Sequence, residues 1–507
     1  MNPLLLIDGL DPTQDTPVEI LHTILLGIIK YSSDLDGLTV PPLRASYMIQ
    51  YRNNLIGKHF KTLMQIMAFH VHGLVSPAEF KLIKAVGALG SVLWVHEIED
   101  MAKYLEDIEV LVGNVLDAFD DVDPTKILVK MKLHILTHLH QDIRRFGPAI
   151  RNSTEIFECF NGIFRLCSIF SNHQAPSRDI ATKFSSLDRL KHILSGGYWK
   201  EGDVWVQAGK NVLHVLHSQP IIQRHLGWAP VIQHIPGSIR AIGKAKSPSY
   251  LWSETLASKV NQLIPFEAPR LQKWRTGASV VSHAEDVCRY HSWIFFKDQN
   301  HNAVGRIAEI LAVDGNMLEA GQGLVTIELF TVMDTCHPDF DLPYLRRCEE
   351  GYRVIQSKDI LFRFSAQHDC RIGKCEALST RALTQERSLT NRAEKLIKHS
   401  DDKNYIINLY GIHNGNLLRK ILPEHLVKPR PLYHNRKTHH ITVATTLRID
   451  QRAKRARTQE KRKATLAAKQ ARKEMKRKEM EHEDEGDEGD NPLEHDEQPF
   501  RKRARKA

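Results

Sequence analysis

Two glutamates one helical turn apart, Glu155 and Glu158, lie in the aromatic-rich stretch EIFECFNGIFR that follows Phe146-Gly147-Pro148. Residues three apart share a helix face, so either carboxylate can be presented to a divalent cation, and either can equally be a surface charge. Upstream, His134 and His138 stand four apart, a spacing that lets one helix face hold a metal. The zinc-protease pattern also needs a glutamate directly after the first histidine, and Ile135 occupies that place. Leu133, Leu136 and Leu139 instead mark a core helix. By residue type the best metal-ligand set is His368, Cys370 and Cys375 in QHDCRIGKC. Tetrahedral zinc takes thiolates and imidazoles but requires a fourth ligand, which Cys348, Cys336 or His337 would have to supply through folding. The alternative is a pair of free thiols buried at a strand end. No phosphate-binding glycine loop, dinucleotide fingerprint or Gly-x-Ser-x-Gly elbow occurs, which removes the kinase, ATPase, Rossmann and α/β-hydrolase classes.

The elements that must position these residues divide the chain. To about residue 270 the apolar spacing is helical, as in PVEILHTILLGIIKYSSDL, NLIGKHFKTLMQIMAFHVHGL and MAKYLEDIEVLVGNVLDAFDDV. Between about 280 and 376 short apolar or alternating runs separated by Gly, Asn and Asp read as strands and turns: CRYHSWIFFKDQ, AVGRIAEILAVDG, GLVTIELFTVMD and GYRVIQSKDILFRF. From 377 to 445 the pattern predicts a return to helix, for example over STRALTQERSLTNRAEKLIKH. Residues 446–507 form a charged tail, disordered or helical. The fold class expected is therefore α+β, with a helical amino-terminal part, a small β-rich domain and a low-complexity end.

At 507 residues the chain is long enough for two or three folded units. Its 42% hydrophobic and 26% charged residues are ordinary for a globular protein, and no apolar run approaches the ~20 residues that span a bilayer, so no membrane partner is expected. The seven cysteines fit a reducing compartment better than a disulfide framework. Much of the net charge of +10 comes from the tail, where RAKRARTQEKRKATLAAKQARKEMKRK precedes an acidic block and a closing RKRARKA. Such clusters match nuclear import signals and phosphate contacts, so the nucleus, import receptors and DNA are the expected location and partners. No aromatic is interleaved with these bases before Phe500, so stacking on single strands is not expected.

The segment HILTHLHQDIRRFGPAIRNSTEIFECFNGIFR resembles the part of CACTA-type (EnSpm-like) DDE transposases that carries the last acid of their catalytic triad. Phe157-Glu158-Cys159-Phe160 matches the aromatic-Glu-x-aromatic core of that segment, so the resemblance assigns Glu158 as the third acid and a metal ligand. Glu19-Ile20-Leu21-His22 resembles the family's acid-x-x-His motif, with Asp15 as an alternative acid. The wider wording, from DTPVEILH through SNHQAPSRDIA to QERSLTNRAEK, is similar to transposon-encoded proteins of basidiomycete fungi. The resemblance implies an RNase H-like fold holding Mg²⁺ or Mn²⁺ between three carboxylates for DNA cutting and joining. In the family two aspartates come from strands ahead of the acid-x-x-His motif. Here that motif lies almost at the amino terminus, so a catalytically incomplete, nuclear, DNA-associated remnant is expected. The strand-rich region is similar to the small barrels of BAH-type reader domains, which by fold analogy implies a chromatin or protein-interaction module.

Overall fold

The computed structural model describes residues 57–169, 171, 174–226, 228, 234–243, 249–260, 273–313, 323–385 and 388–483. These belong to two units, one ending at His434 and one beginning at Asn435.

The first unit opens with three long helices, α1 (Gly57–Val71), α2 (Pro77–Leu93) and α3 (Met101–Val122). Local chemistry sets where they start. Ser76 and Glu79 form a reciprocal capping box with Pro77 in the first turn of α2, and the Asp100 carboxylate accepts the Lys103 N–H at 3.0 Å to open α3. Shorter helices follow: α4 (Pro124–Val129), α5 (Met131–Ile135), α6 (Leu139–Phe146), α7 (Glu155–Ile169) and α8 (Pro176–Leu194). Leu133, Leu136, Leu139 and Ile143 lock the middle of this series into one core with Phe60, Leu93, Ile108 and Phe119. A two-stranded ribbon, β1 (Tyr198–Glu201) with β2 (Val204–Gln207), and helices α9 (Lys210–Ser218) and α10 (Pro220–Leu226) complete the helical part.

An antiparallel sheet of eleven strands follows. Its main path runs β11 (Ile360–Phe364), β7 (Trp293–Asp298), β8 (His301–Val313), β9 (Leu324–Cys336), β10 (Pro343–Gln356), β15 (Asn404–Ile407), β12 (Ala366–His368). Strand β5 (Lys273–Val281) pairs with β8 and carries β3 (Ile239–Ala241), β4 (Tyr250–Leu251) and β6 (Val287–Cys288), with the short helix α11 (Leu256–Val260) after β4. Among the described residues the path stays open between β11 and β12.

Alternation along the strands buries both faces of this sheet. Trp293, Phe295, Val304, Phe330 and Leu345 pack toward Met67, Val71 and Ile83 of the helices, and Ile294, Phe296, Ile307, Val325 and Ile327 pack toward Ile239 and Val280. Helical part and sheet thus share a core. Tyr410, Leu418 on helix α12 (Gly415–Ile421), Leu422 just after it and Val427 on helix α13 (Glu424–Val427) close it from the carboxy-terminal side.

The mixed α+β organisation agrees with the sequence pattern, but two boundaries move. Sheet pairing begins at β3 and ends at β15, wider than 280–376. Residues 377–398, expected to be helical, form instead an antiparallel hairpin, β13 (Glu376–Gln385) with β14 (Ser388–Lys398), which among the described residues shares no ladder with the main sheet. The apolar positions there suit a helix, whereas Thr380, Thr384 and Thr390 bring the β-branched preference that the pairing realises. The second unit contains one long helix, α14 (Arg436–Glu483), whose described side chains are mostly exposed. No described helix is long and apolar enough to cross a membrane.

Candidate metal centre

Strand β12 ends at His368, and the chain then turns tightly through Asp369–Cys375. The Asp369 N–H donates to the Asn404 carbonyl at 3.0 Å, and its Oδ1 accepts the Arg371 and Ile372 N–H groups, each at 3.1 Å. Gly373 N donates to Asp369 O and Cys375 N to Cys370 O, both at 3.0 Å, with Lys374 in the left-handed region at φ 48°. A Cβ on Gly373 would stand 2.9 Å from His368 Cε1 and 3.2 Å from Cys375 Sγ, so glycine lets the turn fold over the imidazole. The hairpin then leaves and returns. Its register pairs Glu376 with Lys398, which delivers the next residue, His399, beside Cys375.

Four ligand-type atoms converge here. One from each of His368, Cys370, Cys375 and His399 lie within 4.8 Å of one another. Cys370 Sγ is 3.5 Å from His399 Nδ1 and Cys375 Sγ is 3.6 Å from His368 Nδ1, with the two imidazole centroids 4.2 Å apart. Burial, then the neighbouring Cys375 sulfur, pushes the Cys370 thiol up to about 12. Burial, then the facing His368, holds His399 below its ordinary value.

The loop 399–403 ties this cluster to the sheet. Asp401 Oδ1 lies 3.3 Å from His368 Nε2, and Ser400 N donates to Cys375 Sγ at 3.5 Å. The Lys403 backbone N–H, more than His368, keeps the Asp401 carboxyl below the usual range. Asp402 is bound by both terminal nitrogens of Arg306 on β8 and by the Tyr405 hydroxyl, and the Arg306 contact holds its carboxyl at about 2. Arg306 also pairs with Glu328, whose second oxygen takes Arg347.

Of the residues singled out from sequence, His368, Cys370 and Cys375 are brought together. The fourth position is taken by His399, and Cys348, Cys336 and His337 are engaged elsewhere. Cys348 Sγ lies 3.0 Å from Thr331 Oγ1, and Cys336 Sγ lies 3.9 Å from the Leu426 carbonyl. His337 accepts the Asp339 N–H on Nδ1 at 3.0 Å, with Nε2 3.4 Å from Asp369 Oδ2. His134 and His138 face each other with their Nε2 atoms 3.4 Å apart, and no third ligand-type residue joins them among the described residues. Glu155 and Glu158 fall on α7, but the side chains of 155–159 lie outside the described residues, as do Asp15, Glu19 and His22 altogether.

A second concavity, of about 370 Å³, lies between α2, α3 and the 425–432 segment. Its cations are already engaged. Lys84 Nζ donates to Asp339 O and Asp341 Oδ2 at 2.7 and 2.6 Å, and the Arg419 guanidinium to Ser91 Oγ and two backbone carbonyls.

Residues 234–427 match a family described as a domain of unknown function (DUF8590). The match opens just before β3, closes at the end of α13, and contains all four residues of the cluster. No curated protein and no solved structure matches the chain.

Proposed function

We propose that this chain is a transposase-derived nuclear protein that acts as a chromatin-associated interaction module, with the BAH-like β-rich region as its working part. The observation that carries this reading is the β13–β14 hairpin. Among the described residues it pairs only within itself, and residues at its root are tied into a sheet whose two faces are both buried. Its span 376–398 holds five basic residues, Arg381, Arg387, Arg392, Lys395 and Lys398, against three acids, Glu376, Glu386 and Glu394. A net-basic arm fixed at its root suits an acidic surface on a protein partner, because complementary charge sets encounter rate and register. The basic clusters of α14, RAKRAR and KRK, support nuclear import, and they supply non-specific contacts to DNA phosphates. The resemblance around Glu158 supports descent from a DDE transposase.

The test uses the full chain. Titration with acidic, Glu/Asp-rich peptides and with a DNA duplex should give saturable peptide binding that survives removal of residues 452–507 and is lost on joint Arg381→Glu and Arg392→Glu replacement. Binding to DNA alone, lost with residues 452–507, would refute the module. Strand transfer in Mg²⁺ or Mn²⁺ that disappears in Glu158→Gln would replace it with a working transposase.

A further inference from the structure

We propose that His368, Cys370, Cys375 and His399 form a closed, structural zinc site that staples the root of the β13–β14 hairpin to the sheet. This goes beyond the interaction reading and stands or falls without it. The distances carry the assignment. A tetrahedral zinc ion with Zn–S of about 2.3 Å and Zn–N of about 2.0–2.1 Å requires sulfur and nitrogen ligands to stand about 3.6 Å apart. The two S···N separations in this structure are 3.5 and 3.6 Å. Two independent thiol–imidazole hydrogen bonds would also give such distances, but they would not require both pairs to converge, and here all four atoms fall within 4.8 Å.

The surroundings are those a metal-bound histidine and thiolate need. His368 turns Nδ1 to the cluster and Nε2 to Asp401 Oδ1, at 3.3 Å, and its side chain is 2% exposed. A carboxylate on the far nitrogen fixes the tautomer that leaves the near one free to ligate. The Ser400 N–H points at Cys375 Sγ, an amide placed to stabilise thiolate charge. Donor type selects the ion. Two thiolates and two imidazoles suit zinc, whereas Mg²⁺ and Ca²⁺ demand oxygen ligands. Four protein ligands leave no open position, so the site is structural and not hydrolytic. His368, Cys370 and Cys375 precede the hairpin and His399 follows it, so the ion would close a loop across its base.

Elemental analysis of the full-length chain, purified under reducing conditions without chelator, should give about one zinc per molecule. Cobalt added to the metal-free wild-type chain should produce the visible d–d bands of tetrahedral coordination together with a thiolate charge-transfer band. Cys375→Ser and His399→Ala should each lose the zinc, and Cys348→Ser should keep it. Asp401→Asn should keep the site but weaken zinc binding about 10–100-fold. Zinc content unchanged in Cys375→Ser, a wild-type chain that gives no tetrahedral cobalt spectrum, or a Cys370–Cys375 disulfide in the freshly purified protein would each overturn the assignment. The cobalt titration uses unaltered protein, so a variant that fails to fold does not obscure the result.

Discussion

Arg306 on β8 and Glu328 on β9 stand directly opposite each other in the antiparallel ladder, and the guanidinium reaches one carboxylate oxygen through both Nε and Nη2. Both residues are buried, and the remaining faces of the guanidinium are taken by Asp402 and Tyr405. Removing one partner of a buried ion pair strands the other charge, which costs about 3–5 kcal/mol. Arg306→Ala should therefore lower the unfolding free energy by that amount in denaturant titration. Arg306→Lys, which keeps the charge but loses the planar fork, should fall between Arg306→Ala and wild type. A loss below about 1 kcal/mol for Arg306→Ala would mean that the network is effectively solvated.

Acid should loosen the same region. Asp402 is held at about 2, chiefly by Arg306. For Asp286, burial acts to raise the pKa, but hydrogen bonds from His413, the Arg363 N–H and Asn414 outweigh it and leave the carboxyl below its ordinary value. A carboxyl whose folded pKa is depressed contributes stability that is complete above its unfolded value of about 3.9 and is lost as pH falls through the folded value. Stability measured by denaturant midpoint should hold down to about pH 4 and then decline toward about pH 2. Asp286→Asn and Asp402→Asn should each flatten that decline, Asp402→Asn the less because its side chain is 42% exposed and screened by solvent. An acid limb identical in all three proteins would contradict the assignment.

The division into helices and sheet was legible because each half carries its own period. GKHFKTLMQIMAFHV repeats at helical spacing and becomes α1, and WIFFKD and LVTIELFTVMD become β7 and β9. The hairpin at 376–398 was not legible, since its short apolar runs satisfy a helical period as well as a strand period. That misreading also hid His399. Local spacing gathers His368, Cys370 and Cys375 within eight residues, but His399 arrives only through the pairing of Glu376 with Lys398. Read as a hairpin, the segment returns the chain beside Cys375, but two register shifts, between Ala382 and Thr384 and between Glu376 and Ser379, decide that His399 is the residue that arrives there.

Asn114 on α3 works as a short piece of ladder for a segment that has no strand to pair with. Its Nδ2 donates to Arg430 O and its Oδ1 accepts the Leu432 N–H, both at 2.9 Å, and the side chain is buried. Asn114→Ala leaves a carbonyl and an amide without these partners, at a cost of about 1–3 kcal/mol. The damage should be local as well as global. Hydrogen exchange should accelerate at the Leu432 amide before it does in β8 or β9. Protection at Leu432 equal to that of wild type would show that another group takes over the bond.

Two glycines should respond in opposite directions to the same change. Gly305 on β8 faces the β9 backbone so closely that a Cβ would stand 2.4 Å from Glu328 O and 2.4 Å from Ile327 Cγ2. The carbonyl belongs to a ladder buried on both faces and has little room to withdraw, so Gly305→Ala must spread β8 from β9 beside the Arg306–Glu328 pair. Overpacking of this kind costs about 1–3 kcal/mol. Gly162 lies within α7 with nothing inside 4 Å of where its Cβ would be. Alanine there removes backbone freedom from the unfolded chain without a clash, so Gly162→Ala should raise helix stability by about 0.5–1 kcal/mol. Thermal unfolding of the two variants beside wild type should move the midpoints apart, down for Gly305→Ala and up for Gly162→Ala. Equal midpoints would mean that the β8–β9 ladder yields more readily than its two buried faces imply.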